Sequence, residues 1–277
     1  MKKGDIVELK ITSYAFEGKG IAKIPSSEGG EFVVFVNGAY PGDTVKAMVR
    51  KKKKSFAEAT VVEILNSSDL RTEPKCKYFG TCGGCKQQDM IYEKQLEFKK
   101  AQVVESFERI GGLKDFEVEP IAGSEKTFYY RNKMEYSFSN KRWLTKEELQ
   151  TEGEIKQRNF ALGLHIPRIF DKVLDINQCF LQSETSNDIL NRTREFFLSK
   201  GISIYNTRTH TGYLRHLVIK TGHHTGDVMV NLVTSEWNED LMKEYAGYLL
   251  ENIEGIKSII NNINYKKGST ALGDEEH

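Results

Sequence analysis

The chain contains no run of 18 apolar residues, and its opening stretch, MKKGDIVELKITSYAFEGKG, has two lysines with no apolar segment behind them. A membrane-spanning helix needs about 20 apolar residues and a secretory signal needs an apolar core, so neither is expected and the protein is placed in the cytoplasm. Five prolines and 23 glycines among 277 residues exclude a collagen-like chain, and a hydrophobic share of 39 % excludes a disordered one. No internal repeat and no low-complexity tract occurs. His165, His210, His216, His223 and His224 lack metal-ligand spacing and are expected to be structural or surface residues. Trp143 and Trp237 are expected to pack rather than stack on bases. A length of 277 residues allows two or three domains, at one per ~150 residues.

The net charge of +1 conceals an asymmetry. Residues 1–54 carry 11 Lys/Arg against 6 Asp/Glu, whereas residues 220–277 carry 5 against 10. The N-terminal part is the better match for a polyanion, although a solvated surface of this charge is common.

Five short strands are predicted at Asp5–Ile11, Gly20–Ile24, Phe32–Val36, Asp43–Arg50 and Ala57–Ile64, with glycine turns between them. That density suggests a small closed barrel, OB-like first and SH3-like as the alternative. Pro25 and Pro41 fall outside the strands, Pro41 beside Gly42 where a turn is wanted. After the polar connector 66–69 comes a cysteine-rich stretch, then a helical pattern over Tyr92–Ile110 with Leu96, Val103, Val104, Phe107 and Ile110 on one stripe. Further strands are expected at Phe128–Phe138 and Ala161–His165, and a helix at Ile189–Leu198. A hairpin, Tyr213–Thr221 with Asp227–Thr234, precedes a helix at Asn238–Glu251 and a strand at Ile256–Ile263. This order makes the second part an α+β domain.

All four cysteines suit one site: Cys76, Cys82 and Cys85 in the string CKYFGTCGGC, and Cys179 downstream. Four thiolates with no remainder point to a metal site, and the expected reducing compartment argues against structural disulfides. Gly83 and Gly84 permit tight turning and leave amides to donate to cluster sulfurs, which favours iron–sulfur. Zinc takes the same four ligands and stays open on spacing alone.

The run Pro74-x-Cys76-x5-Cys82-Gly83-Gly84-Cys85-x-x-Gln88, followed by Tyr92-x-x-Gln95-Leu96-x-x-Lys99, resembles the signature of bacterial RNA (uracil-5-)-methyltransferases that act on 23S ribosomal RNA. The segment Glu17-Gly18-Lys19-Gly20-Ile21-Ala22, with Val36 and Pro41-Gly42-Asp43-x-Val45, resembles the TRAM domain, an OB-like RNA-binding barrel of that family. Tyr130-Arg131-Asn132-Lys133 resembles a further family element, and Asp175-Ile176-x-x-Cys179-x-Leu181 resembles the segment bearing a fourth cluster ligand.

The resemblance implies an α+β multidomain protein: a five-stranded TRAM barrel over 1–67 and an iron–sulfur α+β domain over 68–87 and 120–277. It also implies a helical segment over 88–119 that packs on a catalytic domain. A 4Fe–4S cluster on Cys76, Cys82, Cys85 and Cys179 would tie the segments together without supplying electrons. The expected reaction adds a cysteine thiolate to uracil C6, so that C5 can take the methyl group of S-adenosylmethionine, on a base flipped into a pocket.

The chain departs from the family in its chemistry. Nothing like an Asp-x-x-x-Gly-x-Gly motif follows Thr234, every cysteine is assigned to the metal, and residues 270–277 resemble the family's lead-in to its catalytic domain. The chain is therefore expected to bind RNA and a cluster, to have no S-adenosylmethionine site and no catalytic residue, and to be inactive alone. The alternative is a stand-alone, non-catalytic RNA-binding or ribosome-associated iron–sulfur protein. A radical-type enzyme fits poorly, since C-x5-C-x2-C with a fourth cysteine is not its C-x3-C-x2-C pattern.

The RNA contacts expected are Lys51, Lys52, Lys53 and Lys54 with Phe56, a basic tip beside an aromatic, and Arg131 with Lys133, taken to face one side of a strand. A solvated hairpin tip and an ordinary surface pair are the competing readings.

Overall fold

The computed structural model describes residues 1–26, 29–151 and 157–277. By chain contact they form two units: Met1–Gly80 with Cys85–Glu125, and Thr81–Gly84 with Lys126–His277.

Alternating apolar residues build the first unit. Its strands are β1 (Ile6–Lys10), β2 (Ser13–Ala15), β3 (Lys19–Pro25), β4 (Glu31–Asn37), β5 (Thr44–Lys52) and β6 (Phe56–Asn66), in the sheet order β1-β5-β6-β4-β3-β2. The two outer members are consecutive in the chain. Between them the Ile11 amide donates to the Asp43 carbonyl (2.9 Å) and the Thr12 amide to the Ile21 carbonyl (2.8 Å), so one bent segment closes the sheet into a barrel. Val34 and Val36, then Val45, Ala47 and Val49, then Ala57 and Ala59 point inward at every second position and are fully buried with Leu9 and Ile11. The five expected strands are all present; the short β2 is the bent continuation that the sequence pattern did not separate.

Below the barrel lies a buried ionic clamp. In the turn Tyr40–Asp43, Gly42 takes φ 94°, a conformation that glycine adopts without strain. The Asp43 carboxylate is fully buried and accepts from the Tyr40 amide (2.7 Å), the Ser68 amide (2.8 Å) and the Arg71 guanidinium (3.0 and 2.7 Å). Arg71 also reaches Asp89 at 2.5 Å and lies 4.5 Å from the Tyr40 ring centroid, and the Tyr40 hydroxyl donates to Asp89. Burial opposes the guanidinium charge, but Asp43 and Asp89 outweigh it and raise the Arg71 pKa.

Helix α1 (Tyr92–Arg109) groups with the barrel. Its contact face carries Gln95, Phe98 and Gln102: Phe98 lies 4.8 Å from the Tyr14 ring, and Gln102 donates to the Ala15 carbonyl at 3.2 Å. On the stripe read from the sequence, Val103, Phe107 and Ile110 are exposed among the described residues.

The second unit has strands β7 (Lys133–Ser139), β8 (Arg142–Trp143), β9 (Ala161–His165), β10 (Val173–Asp175), β11 (Leu214–Thr221), β12 (Val228–Thr234), β13 (Ile256–Ile263) and β14 (Glu275–Glu276). Their order is β14-β13-β12-β11-β7-β9-β10-β8. Helices α2 (Lys146–Gln150), α3 (Glu184–Ser199) and α4 (Glu239–Asn252) complete it, α4 forming the crossover between the parallel strands β12 and β13. Phe197 packs 4.9 Å from Tyr245, whose buried hydroxyl meets Thr193 at 2.7 Å. Helix α3 starts five residues before the expected Ile189, because Ser183 caps it by accepting from the Ser186 amide. The strand expected over Phe128–Phe138 is confined to β7. Tyr129 is left-handed (φ 58°), and the Tyr129 and Arg131 amides pair instead with the Phe180 and Leu181 carbonyls, both at 2.8 Å. No helix of the described residues is long and apolar enough to cross a membrane.

Arg71→Leu strands the Asp43 carboxylate without its cation and is expected to lower stability by about 3–5 kcal/mol in urea unfolding. Asp43→Asn combined with Arg71→Leu is expected to cost less than the sum of the two single changes, the coupling that a double-mutant cycle measures.

Candidate metal centre and nucleic-acid interface

The clamp sets both ends of the cysteine loop. Arg71 bridges to Met90 in the chain pairing, the Thr72 amide donates to the Asp89 carbonyl (3.0 Å), and the Ile91 amide to the Leu70 carbonyl (3.0 Å). Within the loop, Gln88 links two cysteines. Its Oε1 accepts from the Cys76 amide at 2.7 Å, and its Nε2 lies 3.6 Å from the Cys85 sulfur. Gln87 reaches the Tyr14 hydroxyl at 2.7 Å, and Gln95 donates to the Gln87 and Met90 carbonyls (3.0 and 2.9 Å). The glutamines of the motif are thus the loop's internal scaffold.

Residues Thr81–Gly84 belong to the second unit. A side chain at Gly83 would meet the His165 carbonyl at 3.0 Å, so the close approach there favours glycine. The Gly84 amide donates to the Cys82 sulfur at 3.4 Å. Cys179 is buried, and Asn187 of α3 holds its backbone, accepting from the amide at 2.8 Å and donating to the carbonyl at 3.4 Å. Tyr136 on β7 relates the two thiols. Burial pushes its phenol pKa up, Cys179 and Cys82 add to the shift, and Arg194 and Arg131 oppose it. The Tyr136 hydroxyl is buried and has no hydrogen-bond partner among the described residues.

Cys76 and Cys85 therefore share Gln88 in the first unit, and Cys82 and Cys179 share Tyr136 in the second. No cysteine is in a disulfide. Among the described residues no group of three or more His, Cys, Asp or Glu stands arranged to hold a metal ion.

The basic tip extends from the end of β5. Lys51, Lys52, Lys53 and Lys54 are all exposed, and the Lys53 amide donates to the Phe56 carbonyl at 2.8 Å. Phe56 is half-buried, packed edge-on against Phe35 with centroids 5.7 Å apart, which leaves it only partly available for stacking. Arg131 and Lys133 are exposed but do not alternate on one strand: Arg131 lies ahead of β7 in the segment paired with Phe180–Leu181, and Lys133 opens β7 and pairs with Glu135 at 3.7 Å.

Sequence reading missed the roles of Tyr136, Asn187 and a polar row in the second unit. There the Ser137 hydroxyl stands 3.0 Å from His165 Nε2 and 3.3 Å from His216 Nδ1. Burial lowers the pKa of both histidines, that of His216 to about 4, with Arg215 and His165 contributing. The even spacing of Met134, Tyr136 and Phe138 marks an inward face, but nothing in the pattern shows which thiols face Tyr136.

Residues 1–62 match the TRAM domain family. Over its whole length the chain is 38 % identical to an uncharacterized RNA methyltransferase of Chlorobaculum tepidum, spanning 57 % of that protein. It is 40 % identical over 259 residues to another of Bacteroides thetaiotaomicron, covering 92 % of this chain and 56 % of the relative. Among solved structures, the tRNA (uracil-54, C5)-methyltransferase of Pyrococcus abyssi in complex with S-adenosyl-L-homocysteine superposes with a TM-score of 0.61 at 28 % identity, over 92 % of this chain and 54 % of that one. The chain thus spans about half the length of the relatives it matches.

The buried histidine makes stability acid-sensitive. Above pH ~6.5 His216 is neutral in both states, whereas between there and about 4 the unfolded chain takes up a proton that the folded chain refuses. Stability is expected to fall through that window by about 2–3 kcal/mol, and His216→Gln to flatten the fall in urea unfolding at stepped pH.

Proposed function

We propose that this chain is the RNA-holding, cysteine-cluster portion of an S-adenosylmethionine-dependent RNA (uracil-5-)-methyltransferase, with a uridine of 23S ribosomal RNA as the target. The observation that carries the reading is the joint one: a TRAM match over residues 1–62 within an alignment of the whole chain to RNA methyltransferases. The solved relative acts on tRNA uracil-54 by its name, so ribosomal and transfer RNA are both arms of the test. In this reading Lys51, Lys52, Lys53 and Lys54 contact phosphates, and Arg131 and Lys133 are further cations that contact the RNA.

By donor chemistry, though not by an arrangement seen among the described residues, Cys76, Cys82, Cys85 and Cys179 would hold a 4Fe–4S cluster. Thiolates are its usual ligands, and the Gly84 amide and Gln88 amide group are donors next to two of the sulfurs. The partnerless, buried Tyr136 hydroxyl beside the other thiol neighbourhood is a donor that a cluster sulfide or thiolate would satisfy. When bound, the cluster supplies a covalent tie between the early and late cysteine segments rather than redox chemistry. With all four cysteines so used, the thiolate that adds to uracil is not among them, and S-adenosylmethionine binding is assigned to the part of the relatives that this chain does not match.

Protein purified without oxygen is expected to be brown, with absorption at about 400 nm and about four irons per chain, and Cys179→Ser to lose the iron. A colourless protein with one zinc overturns the cluster. Binding to a ribosomal RNA hairpin is expected to weaken with salt, and replacing Lys51–Lys54 by glutamine to reduce the slope of log K against log salt by about 0.7–0.9 for each phosphate that the tip no longer neutralises. Equal binding of the variant and the parent overturns the role of the tip; tighter binding of a tRNA arm overturns the ribosomal target.

A further inference from the structure

A cleft in the second unit is built around cations that its own acids do not balance. Strand β11 is irregular where its register against β12 slips between Leu214 and His216. The irregularity lets the successive residues Arg215 and His216 line the same cleft, which strict strand alternation would forbid. Arg215 is 4 % exposed, and its guanidinium donates to three backbone carbonyls, those of Asn264 (2.7 Å), Lys266 (2.8 Å) and Gly268 (2.5 Å). The Tyr205 ring lies 4.0 Å from that guanidinium, and the Arg215 Nε has no partner among the described residues. A buried guanidinium without a carboxylate is a charge that a fold ordinarily neutralises.

The other charged groups at the cleft add to this excess. Lys141 pairs with Asp171 at 2.8 Å, and Asp171 also takes Arg208 at 2.8 Å. Asp171 is the one carboxylate among the described residues that line the cleft. Of the lining residues, Lys141 and Arg215 therefore face the single negative charge of Asp171, which Arg208 takes from outside the lining, while His165 and His216, held neutral by burial at ordinary pH, add none. The cavity is small, about 30 Å³, room for two or so waters or for one tetrahedral anion.

Phe170 at the mouth is 69 % exposed and lines the cleft. Its loop is shaped by the left-handed Arg168 (φ 67°) and by a turn in which the Ile169 amide donates to the Ile166 carbonyl at 3.1 Å. The Arg208 guanidinium lies 5.9 Å from its ring centroid. An exposed aromatic beside a cationic pocket of phosphate size is the pairing that single-stranded nucleic acid requires, a face for a base and a seat for its phosphodiester.

We propose that this cleft binds one unpaired nucleotide of RNA, its phosphodiester seated between Lys141 and Arg215 and its base stacked on Phe170. The proposal rests on the reading of RNA as the partner. Phe170 is exposed and the Lys141 side chain is partly so, and both can be changed without emptying a core.

The test uses the full chain and a fluorescent 12-nucleotide oligouridine read by anisotropy. Phe170→Leu is expected to bind about tenfold more weakly and Phe170→Trp to restore affinity, a pattern that loss of packing would not give. Lys141→Gln is expected to lower the salt slope by about 0.7. Oligonucleotides carrying 4-thiouridine are expected to crosslink to the peptide containing Phe170. If the Phe170 and Lys141 variants bind like the parent while the lysine-tip variant is weakened, RNA binding stands and this site does not. If the parent binds no RNA, the partner reading fails and the site fails with it. If 10 mM inorganic phosphate raises the melting temperature while the Phe170→Leu and Lys141→Gln chains keep the parent's affinity for oligouridine, the cleft is a small-anion site and the proposal is overturned.

Discussion

The first unit depends on one buried guanidinium. Arg71 stands between Asp43 and Asp89, two carboxylates from opposite sides of the cysteine loop, with the Tyr40 ring against it. Two charges removed from water cost more than their attraction returns unless every remaining donor and acceptor is paired. Here Asp43 also takes two backbone amides, and Asp89 takes the Tyr40 hydroxyl. The arrangement favours specificity over raw stability: the loop has one place to start and one to end, so Cys76 and Cys85 meet Gln88 in a defined way.

The second unit applies the same logic with different groups. Arg194 of α3 joins Asp175 to the Ile176 and Leu162 carbonyls, and Asn187, two turns earlier, holds the backbone of Cys179. One helix therefore positions both the strand end and the thiol that follows it. Tyr136 on the sheet lies within electrostatic reach of that thiol. A buried phenol with no partner among the described residues is costly.

The two candidate nucleic-acid surfaces differ in kind. The lysine tip is a solvated run of charge on an antiparallel pair, suited to long-range, salt-sensitive attraction and indifferent to sequence. The cleft beside Ser137 is a shaped site, with few cations, low exposure and one aromatic rim, suited to holding a single nucleotide in register. Phe56, read from the sequence as a stacking residue, is half-occupied by Phe35, whereas Phe170 drew no attention in the sequence because a lone aromatic between an isoleucine and an aspartate carries no pattern.

Periodic or tightly spaced signals were legible in the chain alone. Alternating valines and alanines marked the barrel strands, the 3.6-residue recurrence marked α1 and α4, and CKYFGTCGGC marked a thiol-rich loop, because each signal lies within a dozen or so residues. Folding in three dimensions settled which thiols share a neighbour, that the residues before β7 pair with 180–181 rather than extend the strand, and that Arg215 and His216 turn into one cleft. Those outcomes rest on contacts between residues tens of positions apart, on a left-handed Tyr129 and on an irregular strand. Such features are set by what packs opposite a residue, and no local pattern records it.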